Sequence, residues 1–344
     1  MSGIGPRGAF LTMSNQPMEL ICPAGTPATL RAAVVAGADA VYCGFRNETN
    51  ARNFPGLNFS TAELAEGVRF AHDHGKKVLV AINTFAQPGR VDLWHKAVDE
   101  AAQCGADAVI AADLAVLDHA ANCHPGLRLH LSVQAAASTP EAVKFYVDAF
   151  RVRRVVLPRV LSVQEIAALN RMIDVETEAF VFGGLCVMVE GRCYLSSYAT
   201  GKSPNLSGVC SPPEHVTYED DAEGTAARLA GFTIDRYAQS QPTGYPTLCK
   251  GRFTAGGKTS YLFEDPVSLN AGGVLAGLKA AGVTALKIEG RQRGKAYVTE
   301  VVRAFRRAVD AVEAGGDAAE IDRILAGMSE GGRQTEGAYK KTWR

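Results

Sequence analysis

The sequence predicts an α/β fold, a (β/α)8 TIM-like barrel with one long insertion between its seventh and eighth strands. Three observations carry this expectation: eight short apolar runs alternate with amphipathic stretches, no G-x-G-x-x-G follows the first run, and the regular spacing breaks only once. In order, the runs are ELICPAG (19–25), AVYCGF (40–45), KVLVAINT (77–84), AVIAAD (108–113), RLHLSVQ (128–134), RVVLPRV (154–160), EAFVFGG (178–184) and ALKIEG (285–290). Most are separated by segments of helical period, such as TPATLRAAVVAGA, TAELAEGVRFAHDHG and TPEAVKFYVDAF, several of which open on a Ser or Thr cap and close near a Gly. An open doubly wound sheet is the competing architecture. The missing glycine fingerprint and the eight similar units favour closure instead.

At 344 residues with 47% apolar content, the chain can bury a large core, as one barrel or as two modest domains. Its formal net charge is zero, so the sum carries no electrostatic footprint for nucleic acid or an anionic membrane. The first seventeen residues, MSGIGPRGAFLTMSNQP, contain neither a long apolar core nor a small-residue cleavage pattern. They read as a disordered extension (1–17), with Met13 or Met18 as alternative starts. No apolar run is long enough to span a bilayer, so a soluble, cytoplasmic protein is expected. Thiols stay reduced in that compartment, which turns eight cysteines away from disulfides and toward metal or redox use. The barrel is expected over 18–325, including an insertion over 184–284, followed by a polar, Gly-rich, flexible tail over 326–344.

Barrel enzymes build their sites at the carboxyl ends of the strands. The residues there are polar: Asn83, Thr84, Asp113, Ser132, Gln134, Arg159, Glu289 and Arg291. Roughly a hundred residues separate strands seven and eight, and an insertion at that end lies over the barrel mouth. It holds Cys186, Cys193, Cys210 and Cys249, spaced C-x6-C-x16-C-x38-C. Four gathered thiolates suit a tetrahedral zinc or an iron–sulfur cluster. Zinc sites usually use C-x2-4-C knuckles, which are absent here, so the open spacing favours a [4Fe-4S] cluster while leaving zinc and unligated cysteines open. Cys22, Cys43, Cys104 and Cys123 read as small buried hydrophobes, with Cys22 and Cys43 at strand ends that could face the pocket.

The segments FVFGGLCVMVEGRCYLSSY (180–198), LPR (157–159), NARNF (50–54) and KIEGR (287–291) resemble the collagenase-like peptidase family, in particular its ubiquinone-biosynthesis branch. The likeness runs from Met18 to about residue 335. What the resemblance implies is a [4Fe-4S] protein whose metal ligands are Cys186, Cys193, Cys210 and Cys249. It would act as one subunit of a heterodimer with a paralogue, in oxygen-independent hydroxylation of a ubiquinone precursor, with prephenate as the implied oxygen donor. Other members of the family hydroxylate RNA bases, and a cluster-bearing subunit without catalysis of its own is a third reading. Arg52, Arg159 and Arg291 suit bidentate binding of a dicarboxylate, and Glu289 suits an acid or base beside Lys287. The alternative role of the arginines is ion pairing with Glu48, Glu165 and Glu289. The peptidase label lacks an H-E-x-x-H or G-x-S-x-G motif. His72, His74, His119 and His124 read as surface or capping residues, which leaves His130 and His215 as the stronger histidine candidates.

Overall fold

A computed structural model describes residues 17–340 apart from 189, 192, 205–209, 319 and 330–332. The expected N-terminal extension lies outside the described residues except for Pro17. All eight apolar runs form strands: β1 (Glu19–Pro23), β2 (Ala40–Cys43), β3 (Lys77–Ile82), β4 (Ala108–Ala111), β5 (Arg128–Leu131), β6 (Arg154–Val156), β7 (Glu176–Gly184) and β14 (Ala285–Ile288). Each pairs in parallel with the next, and β14 pairs with both β1 (Glu19 with Ala285) and β7 (Ala285 with Glu178). The barrel is therefore closed.

Helices α1 (Pro27–Ala36), α2 (Thr61–Asp73), α3 (Asp92–Gln103), α4 (Leu114–Cys123), α5 (Pro140–Phe150) and α6 (Val163–Asn170) follow the first six strands. Local chemistry starts most of them. Thr26, Ser60 and Ser162 each form a capping box, while Asp113 and Thr139 accept backbone N–H bonds at their helix starts. Period-two alternation then divides the strands between two cores. Leu20, Cys22, Val41 and Cys43 join the large sheet–helix core, whereas Ile21, Ala40, Tyr42, Leu79, Ala108, Ile110 and Ala285 pack inside the barrel. Cys22 and Cys43 thus point away from the pocket, contrary to the expectation that they could face it. Cys123 is exposed and Cys104 half-buried, so neither is the buried hydrophobe expected; both sit at the outer ends of helices.

Charged groups close the other end of the barrel. Arg154 pairs with Glu19 (2.6 Å), Glu176 (2.7 Å) and Glu178 (3.5 Å), Lys77 reaches Glu19 (2.6 Å), and Lys287 reaches the fully buried Glu178 (2.6 Å). His130 stands in register with Ile110 and Arg154, on the interior face. It is 2% exposed with neither ring nitrogen hydrogen-bonded, and burial, then Arg154, pushes its pKa well below the ordinary value. Enclosed in the barrel interior with its basicity lowered, this imidazole is a weak proton acceptor.

The region between β7 and β14 has its own structure. Helix α7 (Leu195–Thr200) is followed by an antiparallel sheet of β8 (Val216–Asp221), β9 (Gly224–Leu229) and β10 (Phe232–Tyr237), then by a hairpin of β11 (Arg252–Ala255) and β12 (Lys258–Tyr261). Strand β13 (Ser268–Asn270) returns antiparallel to the end of β7. The 326–344 segment is not a free tail in its described part. β15 (Gln334–Thr335) pairs with β13, and Tyr339, 6% exposed, donates its hydroxyl to the Phe180 carbonyl at 2.6 Å. An aromatic ring that finds a pocket and a hydrogen-bond acceptor outweighs the polar, Gly-rich composition around it. Among the described residues, no helix is long and apolar enough to cross a membrane.

Candidate functional site

Two sets of residues meet at the mouth of the barrel. One is carried by strand ends and the loops after them, the other by the insertion. Both line a single cavity of about 1370 Å³ that includes Arg52, Arg159, Glu289, Arg291 and all four clustered cysteines.

Glu289 follows β14 directly, and its N–H is held by the Phe182 carbonyl at 2.8 Å. Its two carboxylate oxygens take different arginines, Arg52 Nη2 on Oε1 at 2.9 Å and Arg159 Nη2 on Oε2 at 2.6 Å. Burial works to raise the Glu289 carboxyl, but Arg159, Arg52 and Arg291 outweigh it and hold it at about 2. The group is therefore an ionised anchor at neutral pH, and it does not suit the acid–base role expected beside Lys287. Lys287 instead belongs to the layer below, where Glu178 is its partner. Of the expected ion pairs, Glu289 takes two arginines, whereas Glu48 pairs with Arg90 and Glu165 caps α6.

Arg159 lies over the Phe180 ring at 3.5 Å and also pairs with Glu190. Arg291 donates to Asn50 Oδ1 at 2.6 Å, and its guanidinium sits 5.5 Å from the Tyr42 ring centre. Burial, reinforced by Arg52, pushes the Arg291 pKa down to about 10. The Tyr42 hydroxyl donates to the Ile288 carbonyl at 2.9 Å, and Lys287 Nζ lies 3.8 Å from its ring centre. Glu190, Asn50 and Tyr42 are the site residues not singled out from the sequence. Asn50 and Glu190 left a signal, as members of the quoted segments NARNF (50–54) and FVFGGLCVMVEGRCYLSSY (180–198).

The other polar strand ends divide by role. Asp113 caps α4 and accepts from Ala86 N–H, Thr84 donates to the Glu48 carbonyl and accepts from Trp94 Nε1, and Asn83 accepts from Ala51 N–H. Ser132 caps the turn that carries Gln134. Asn83, Ser132 and Gln134 line the cavity but are engaged in shaping its walls. His215 ends a short turn outside it.

The cysteines arrive from four separate places: Cys186 just after β7, Cys193 just before α7, Cys210 in the following loop and Cys249 in the turn Leu248–Lys250. Close backbone approaches press this region onto the barrel. Gly183 (φ 114°) has no room for a Cβ, which would fall 2.5 Å from the Glu289 carbonyl oxygen. A Cβ on Gly191 (φ 75°) would overlap the Gln134 carbonyl. Burial first, and then Cys210 and Cys186, raise the Cys249 thiol to about 12. Burial likewise raises Cys210, with Arg52 opposing and Cys186 and Cys193 adding to the rise. Cys210 keeps accessible surface, but that surface opens into the cavity. Among the described residues no three of these sulfurs lie within 4.8 Å of one another, which is too spread for a single tetrahedral ion; a larger group such as an iron–sulfur cluster would span more of that separation, and its positive charge would stabilise the thiolates. Arg52 is the link between the two sets, since it feels both Glu289 and Cys210.

Comparison with known proteins places the chain at the level of the family. A sequence profile of peptidase family U32 matches residues 25–339. An uncharacterised protease of Methanocaldococcus jannaschii is 32% identical over 86% of this chain and 66% of its own length. The tRNA hydroxylation protein P1 of Bacillus subtilis is 30% identical over 85% of this chain and 63% of its own length. The 23S rRNA 5-hydroxycytidine C2501 synthase of Escherichia coli is 31% identical over 93% of this chain and 43% of its own length. The chain thus spans about two thirds or less of each of these three relatives. With the profile covering nearly the whole barrel and its insertion, the chain belongs to peptidase family U32, the collagenase-like peptidases.

Proposed function

We propose that this chain binds a [4Fe-4S] cluster through Cys186, Cys193, Cys210 and Cys249 and works as a component of an oxygen-independent hydroxylase. The observation that carries the reading is the meeting of four thiols and three arginines in one cavity, coupled through Arg52. With all four irons held by cysteine, the chemistry such a cluster supplies is electron transfer. The chain's own residues do the rest. Arg52, Arg159 and Arg291 present guanidinium groups to a carboxylate-bearing oxygen donor, for which prephenate is the candidate. Glu289 fixes Arg52 and Arg159 in place, while Phe180 and Tyr42 supply apolar and aromatic walls beside them.

The substrate we favour is the aromatic ring of a ubiquinone precursor, with the chain acting beside a paralogous subunit. Support comes from the resemblance of its cysteine spacing and of the KIEGR and NARNF segments to UbiU, whose partner is UbiV, and from a net charge of zero, which offers a polyanion no overall attraction. A second reading, hydroxylation of an RNA base, is favoured by the relatives named for tRNA and rRNA hydroxylation.

Anaerobic purification, with and without the co-expressed paralogue, followed by iron and sulfide analysis, tests the cluster. Four irons and four sulfides per chain are expected, whereas a colourless protein holding one zinc overturns the reading. Cells lacking the chain and grown without oxygen separate the substrates. Accumulation of under-hydroxylated quinone precursors with normal tRNA and rRNA nucleosides supports the ubiquinone assignment, and loss of a hydroxylated nucleoside supports RNA.

A further inference from the structure

A second cluster of metal-binding side chains lies outside the barrel, remote from the cysteines. Helix α3 carries His95 and Asp99 one turn apart, α4 carries His119 and Cys123 one turn apart, and His124 caps the end of α4. Both imidazoles converge on one carboxylate oxygen. His124 Nε2 is 2.6 Å and His119 Nε2 2.8 Å from Asp99 Oδ1. We propose that Asp99, His119 and His124 form a divalent-cation site suited to zinc, which clasps α3 to α4 at the end of the barrel away from its mouth.

The donor set is the first argument. Two imidazole nitrogens and one carboxylate, with a position left for water, are ordinary zinc ligands, and these three atoms lie within 4.8 Å of one another. Metal–ligand bonds of about 2.0–2.1 Å place tetrahedral ligands about 3.3 Å apart, so the two contacts to Asp99, at 2.6 and 2.8 Å, need to widen by about 0.5–0.7 Å.

The surroundings are the second argument. His119 is stacked face to face on His95, with ring centres 4.1 Å apart and planes 5° apart, and its Nδ1 lies 3.6 Å from Cys123 Sγ. Those two neighbours fix the ring plane and occupy the second nitrogen, as outer partners of metal-bound histidines do. His95 Nε2 is itself buried without a hydrogen-bond partner, so one more nitrogen beside the cluster has no competing bond. The carbonyl end of the α4 dipole, where His124 sits, also favours a cation.

Location follows from topology. Helix α4 ends just before β5 begins, so the cluster sits by the amino ends of the strands, the face where barrels carry stability rather than catalysis. The ion would be structural, tying together two helices on the outer wall.

The test is a zinc titration of the full chain purified anaerobically, read as zinc bound per chain after desalting and as the shift in Tm. The same measurement is made on Asp99→Asn and His124→Gln, so that any zinc held by the cysteines cancels in the difference. The wild type is expected to bind one more zinc per chain than either variant, with affinity at least ten-fold higher and a Tm that rises on loading. Equal zinc content and equal Tm response in all three proteins overturn the site. A measurement on the wild type alone covers the case in which a variant fails to fold: zinc should protect His119 and His124 from diethyl pyrocarbonate, read by peptide mass spectrometry, and unprotected histidines overturn the proposal.

Discussion

Glu289 illustrates how a half-buried carboxylate can be kept charged. Its folded value of about 2 lies below the ordinary 4.5, so the ion pairs contribute stability above pH 4.5 and lose it as pH falls toward 2. The stability difference between wild type and Glu289→Gln should accordingly be flat above about pH 5 and shrink at lower pH, as followed by urea denaturation. A difference that grows on acidification would contradict the assignment. One layer down, Lys287 and Glu178 form a pair that neither can leave cheaply. Lys287→Met should cost about 3–5 kcal/mol in chemical denaturation, and pairing it with Glu178→Leu should recover a large part of that loss. From the sequence, Lys287 and Glu289 look like partners because they are two residues apart in KIEGR. The barrel separates them, since each step of two along a strand moves one layer up the interior.

At the level of elements, the strands and their helices were legible because apolar runs, caps and turn glycines all report the same local structure. The insertion was legible as an interruption but not as a sheet. Strand β8 reads VTYEDD and is exposed along nearly its whole length, so it lacks the apolar face that announces a strand. The C-terminal latch was hidden for a similar reason, its pairing with β13 depending on distant residues. Its contribution is measurable. Tyr339→Ala should lower stability by about 3 kcal/mol, combining a lost aromatic contact and a lost hydrogen bond to Phe180, whereas Tyr339→Phe should lose only about 1 kcal/mol in the same denaturation experiment. For the insertion, replacing any one of Cys186, Cys193, Cys210 and Cys249 with Ala is expected to lower bound iron at least several-fold, while Cys104→Ala leaves it unchanged. Equal loss at Cys104, which faces the Thr61 carbonyl on the outer wall, would remove these four as the ligand set.

Over the whole molecule, the place of the candidate cavity could be read in advance, because the insertion between strands seven and eight enters at the carboxyl ends of the strands. The detailed contacts could not, because Arg52, Arg159, Glu190 and Glu289 come from four distant stretches of chain. The proposed donor-binding role of the arginines predicts that Arg159→Gln weakens binding of a carboxylate-bearing donor by roughly ten-fold or more, measured by calorimetry on the anaerobic protein, since a charge-assisted contact is worth about 1.5–3 kcal/mol. Unchanged affinity would detach the arginines from donor binding. The ion pairs across the amino ends of the strands carry one last implication. With Arg154 and Glu178 filling the barrel below the cavity and Lys287 forming part of its floor, the cavity is closed toward the amino ends of the strands. If the proposed function holds, a flat ring would enter from the mouth, and the long chain attached to it, whether polyprenyl or polynucleotide, could not thread through the closed floor and would trail out over the rim. What the rim grips, rather than what the floor holds, would then decide which long molecule delivers its ring.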